Sequence, residues 1–78
     1  MNMQQTSSFP IRSYAKKELA LCYFPDAQHP STAVNHLMAW IKRCQPLCEK
    51  LHAEGYQKTN KWFNPKEVKL IIEHFGEP

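Results

Sequence analysis

The residues of this chain with chemistry to offer are mostly cationic or amide-bearing and come in near-adjacent pairs: Lys16 with Lys17, Asn35 with His36, Lys42 with Arg43, and Lys58 with Lys61. Ammonium and guanidinium groups hold phosphate oxygens, while an asparagine amide can meet the edge of an adenine with two hydrogen bonds. The set therefore suits duplex DNA, with Lys16, Lys17, Lys42, Arg43, Lys58 and Lys61 on the backbone and Asn35 and His36 at base edges. Lys16 and Lys17 fall in the first turn of an expected helix, where the backbone dipole is positive and a cation costs roughly 0.3 to 1 kcal/mol. A phosphate docked on the exposed amides of that turn would account for the placement. Solvated lysines with Glu18 offsetting the field account for it too.

Other constellations are weaker. Cys44, Cys48 and His52 stand at i, i+4 and i+8 and offer zinc-type donors, but a fourth ligand from a separate element is missing and Pro46 interrupts the helical register between the cysteines. Small core cysteines are the expectation, with no metal and no cofactor. No carboxylate pair, glycine-rich phosphate loop or nucleophile elbow is present, so an enzyme is not expected.

These side chains need elements to hold them. Phe9-Pro10-Ile11-Arg12 reads as extended, with Ser13 as the N-cap of a helix of about ten residues whose stripe is Ala15, Leu19, Ala20 and Tyr23. Pro25 and Pro30 bracket a connector. A second helix runs from about Pro30 to Cys44, with Val34, Leu37, Met38 and Ile41 inward at i, i+3, i+4 and i+7 and with Asn35, His36, Ala39, Lys42 and Arg43 outward. Gln45-Pro46 restarts a short helix that Gly55 ends. Gly55 to Asn64 is expected to hold a small hairpin or wing around Lys58-Thr59-Asn60-Lys61. The last helix, near residues 65 to 75, has the clearest signals: Asn64, Pro65 and Glu67 at N-cap, N1 and N3, Phe63 stapling onto Val68, an inner stripe of Val68, Ile71, Ile72 and Phe75, and Gly76 as the stop.

With 78 residues, 42% of them hydrophobic and 12% aromatic, the chain is expected to be one small domain over 9–78 behind a disordered tail at 1–8. No apolar run approaches the roughly 20 residues that span a bilayer, and no secretory signal is evident, so a soluble cytoplasmic protein with reduced Cys22, Cys44 and Cys48 is expected. A net charge of +3 allows a polyanionic partner without requiring one.

The segments IRSYAKKELALCYFPD, AVNHLMAWIKR and GYQKTNKWFNPKEVKLIIEHFGEP resemble the short Bacteroidales proteins of the domain of unknown function 4248 family, over nearly the whole chain after Ser8. More distantly, KKELALCYFP, LMAWIKR and FNPKEVKLII are similar to MerR-type and excisionase-like winged helix-turn-helix domains. That resemblance implies a mainly α fold of about four helices with a short hairpin before the last one, and a small accessory or regulatory protein on duplex DNA. The connector is expanded by Gln28-His29-Pro30, and the second helix lacks arginines near its start. The rival expectation is a protein-interaction module using Tyr14, Tyr56 and Trp62; a homodimer spanning two half-sites fits either partner.

Overall fold

A computed structural model of the chain describes residues 9–78, so the tail expected at 1–8 lies outside the described residues. Two proline-led helices set the framework. Pro30 sits in the first turn of its helix, where a missing N–H costs nothing, and Pro46 does the same one element later. The order is β1 (Tyr14–Ala15), α1 (Lys16–Tyr23), α2 (Pro30–Arg43), α3 (Gln45–Ala53), β2 (Trp62–Phe63) and α4 (Pro65–Phe75). The fold is mainly helical, with a two-stranded element ahead of the last helix.

Each helix stop has a local cause. Gly55 adopts φ 86°, a left-handed value that a side chain resists, and the amides of Gly55 and Tyr56 reach back to the carbonyls of His52 and Leu51 at 3.0 Å each. This glycine closure ends α3 and turns Tyr56 inward. Helix α4 starts with a reciprocal cap: the Glu67 amide donates to Asn64 Oδ1 and the Asn64 amide to Glu67 Oε1, both at 2.8 Å. Phe63 and Val68 on either side of the cap are fully buried. Replacing Asn64 with alanine is expected to lower stability by about 1 kcal/mol, read as a shifted midpoint in chemical denaturation. An unchanged midpoint would mean the cap is redundant.

Two local expectations give way to long-range structure. Ser13 does not cap α1, whose N-cap is Ala15 without a side-chain bond, because Tyr14 and Ala15 are drawn into a strand. The strand at 62–63 stands where a hairpin was expected, but it pairs antiparallel with β1, in the register Tyr14 with Phe63 and Ala15 with Trp62. Within the loop itself only a turn closes, from the Asn60 amide to the Gln57 carbonyl at 2.9 Å. Burial explains the choice: Tyr14 and Phe63 both lie in the core, and pairing them satisfies backbone groups that burial would otherwise strand.

The core gathers Leu19 and Ala20 of α1, Ala33, Leu37 and Ile41 of α2, Leu47 and Leu51 of α3, and Val68 and Ile71 of α4, with Tyr14, Tyr56 and Phe63 between them. The inward stripe of α2 is turned slightly from its expected phase. Ala33 is buried while Val34 and Met38 flank the core half-exposed, and the small side chains of Ala20 and Ala33 suit a close packing of α1 on α2.

Candidate nucleic-acid interface

Lys16 occupies the junction of β1 and α1, and its fate organises the surface around it. Its amide donates to the Lys61 carbonyl at 2.9 Å, continuing the strand pairing by one bond. Its ammonium donates to the Lys58 carbonyl at 2.8 Å and lies 4.9 Å from the centre of the Tyr56 ring. Lys16 is thus 8% exposed and leaves the set of expected DNA contacts. The sequence pattern placed it on the first turn of an open helix; the strand pairing rolls it inward instead. What it does is fasten the 57–61 loop to the start of α1, and Lys17, Lys58 and Lys61 are left exposed along that seam.

The expected phosphate pocket on the α1 amides is also altered. The first amide of the turn is taken by Lys61, and Glu18 covers the turn with its own charge. Its carboxylate accepts from Arg12 Nη2 at 3.1 Å and from the Ala15 amide, which together hold its pKa below the usual carboxylate value. Any phosphate at this edge is left to side-chain ammonium groups.

The second group of candidates lies on α2. Asn35, His36, Lys42 and Arg43 are all exposed. A spacing of seven residues sets Lys42 two turns beyond Asn35, and Arg43 two turns beyond His36, on neighbouring lines of the helix. The cations stand in the last turn, where the helix dipole favours them, and Arg43 Nε donates to the Ala39 carbonyl at 3.4 Å. His36 rests against Phe24, ring centres 5.3 Å apart.

One contact links the core beneath Lys16 to α2. Tyr56, beneath Lys16, directs its hydroxyl to Met38 Sδ at 3.6 Å. Met38 lies on the half-buried flank of α2, between the buried stripe of Leu37 and Ile41 and the exposed line of Asn35 and Lys42.

Burial pushes the Tyr56 phenol up to about 12, and Tyr23, whose hydroxyl donates to the Gly76 carbonyl at 2.6 Å, is raised to about 12 for the same chief reason. Both are neutral in the fold and would ionise near 10 in an unfolded chain. Their stabilising share is complete below pH 10 and is lost as pH rises toward 12. Lys16 acts with the opposite sign. Burial lowers its pKa against the pull of Glu67, so the cost of keeping it charged is relieved as pH climbs toward 10.5. With two phenols against one amine, the melting temperature is expected to fall above pH 10, with the phenolates of Tyr23 and Tyr56 appearing together with unfolding. Phenolate at Tyr23 or Tyr56 near pH 10 in an intact fold would contradict this.

The aromatic residues sort differently from expectation. Tyr14 and Tyr56, two members of the expected protein-interaction patch, are 3% and 7% exposed, so that patch does not exist as drawn. Both rings are core: Tyr14 stacks on Phe9 and Tyr56 on Phe63. Trp40 packs edge-on against Tyr23, Phe24 and Phe75 while staying 38% exposed. Trp62, which the sequence offers as either a packed ring or a stacking surface for an unpaired base, is 59% exposed and borders an open groove of about 450 Å3. In β2 the burial of Phe63 turns its neighbour Trp62 to the opposite, outer side.

Among the described residues no group of His, Cys, Asp and Glu is placed to hold a metal ion. Cys44 caps α3, and the Cys48 thiol donates to the Ile41 carbonyl at 2.9 Å. No helix among the described residues is long and apolar enough to cross a membrane.

Comparison with known proteins gives one finding. The model of the family described as "Domain of unknown function (DUF4248)" matches residues 10–78. No curated protein and no solved structure matches the chain.

Proposed function

We propose, from the premise that this chain belongs to the DUF4248 family, that it is a small accessory or regulatory protein that binds duplex DNA, mainly through the phosphate backbone. The observation that carries the reading is the fastening of the 57–61 loop to α1 by Lys16, which leaves Lys17, Lys58 and Lys61 exposed on one seam. Three ammonium groups held on one edge can follow a phosphate line, and Lys42 and Arg43 extend the cationic surface from the end of α2. Asn35 and His36 on the same helix are the base-edge candidates, which makes α2 the recognition helix, α1 its partner and the 57–61 loop the wing. In this reading the distant likeness to MerR-type and excisionase-like domains is one of layout: a KELA-type helix, a recognition helix, a wing and a closing helix.

Five exposed cations predict a log–log dependence of affinity on salt with a slope of roughly −4 to −5 on random duplex DNA, about 0.9 per phosphate contact. A titration of binding against salt measures it. No binding at low salt, or an affinity indifferent to salt, would remove the reading.

A protein-interaction module is the second reading, and a specific observation favours it. Trp40 remains 38% exposed among Tyr23, Phe24 and Phe75, so the half-open aromatic end of α1, α2 and α4 offers a partner a ready apolar contact. Trp40→Ala would then weaken the partner and leave DNA binding intact.

A further inference from the structure

The groove beside Trp62 has the parts of a nucleotide site. Strand β2 must point Phe63 inward, so its neighbour Trp62 points out, and no aromatic ring among the described residues packs on the indole. The indole lines the groove together with Ser13, Glu54, Asn60, Lys61 and Asn64. Lys61 lines the groove beside the indole, and Lys58 and Lys17 are exposed on the two segments that Lys16 ties together. An exposed π-face next to a line of ammonium groups is how proteins hold unstacked nucleic acid, with the ring taking a base and the cations its phosphates. The Ser13 hydroxyl, the Asn60 amide and the Glu54 carboxylate supply donors and acceptors for the edge of such a base, while Asn64 and Glu67, also in the lining, are engaged in the cap of α4. A base inside an intact duplex is already stacked on both faces and cannot reach the indole. The occupant must therefore have left the stack.

We propose that Trp62 is a stacking platform for one unpaired nucleotide, so that the protein seats at a junction between duplex and single strand. The inference rests on the backbone-binding reading of the lysine seam and adds the substrate class to it. The seam holds the duplex phosphates, and the groove takes the first unpaired base beyond them.

The test compares a blunt random duplex with the same duplex bearing a short single-stranded overhang, at one low salt concentration, for the native chain and for Trp62→Ala and Trp62→Phe. The native chain is expected to prefer the overhang by roughly five- to a hundredfold, the range that one base–aromatic stack supports. Trp62→Ala should lose that preference and keep its affinity for blunt duplex, while Trp62→Phe should keep part of it. In a Trp40→Phe background, fluorescence of the remaining indole should be quenched by the overhang duplex and not by the blunt one. Equal affinity of the native chain for the two duplexes would overturn this inference and leave backbone binding standing. Failure to bind either probe would overturn both. Quenching by a lysine-rich peptide but by neither duplex would assign the indole to a cationic protein ligand and overturn the proposal.

Discussion

Replacing Lys17, Lys58 and Lys61 together with alanine is expected to flatten the salt dependence of duplex binding by about 2.7, which is 0.9 for each lost phosphate contact, and to weaken binding at low salt by roughly ten to a few hundredfold. The effect should be the same for every sequence tested, since phosphate contacts carry no base information. The fold should be untouched. All three side chains are exposed, and the backbone carbonyls of Lys58 and Lys61 that Lys16 uses are present whatever the side chain. Salt titrations of the native chain and the triple variant decide the matter. Equal slopes would show that these lysines do not meet the polyanion.

The second large effect is on stability. Phe63 is fully buried, stacks on Tyr56 with ring centres 5.6 Å apart, forms the staple before α4 and pairs with Tyr14 across the strands. Truncating a buried phenylalanine to alanine costs roughly 3 to 5 kcal/mol. A domain of this length is worth only about 4 to 12 kcal/mol in total. Phe63→Ala is therefore expected to leave a large share of the chain unfolded, visible as a collapsed denaturation midpoint and reduced helical ellipticity. A loss below about 1 kcal/mol would mean that the strand pair and the cap of α4 stand without it. The truncation is also expected to loosen the lysine seam from the core, because Phe63 and Tyr56 form the floor on which Lys16 lies.

Local signals were legible where the physics is local. Asn64, Pro65 and Glu67 specify the start of α4 within four residues, and a cap needs nothing from the rest of the chain. Pro30, Pro46 and Gly55 likewise mark the starts of α2 and α3 and the end of α3. The strand pairing was not legible, because its halves lie near opposite ends of the chain and each is only two residues long. Neither half has enough length for alternation to register. From that one hidden contact the other differences follow: Ser13 loses its role as a cap, Lys16 turns from a surface cation into an internal tie, and Tyr14 becomes core. The candidate site was readable as a list of residue types. Which lysines fall on neighbouring segments was not, since the start of α1 and the 57–61 loop come together only through that pairing and the Lys16 tie.

Duplex binding of this kind requires Lys17, Lys58 and Lys61 to meet the polyanion together. The most direct measurement is a map of backbone amide chemical shifts as a short random duplex is added at low salt. Shifts concentrated at 16–18 and 57–62, with a second set along the outer face of α2 at 35, 36, 42 and 43, are the predicted result. Shifts gathered instead around Tyr23, Trp40 and Phe75, or spread evenly over the chain, would contradict it.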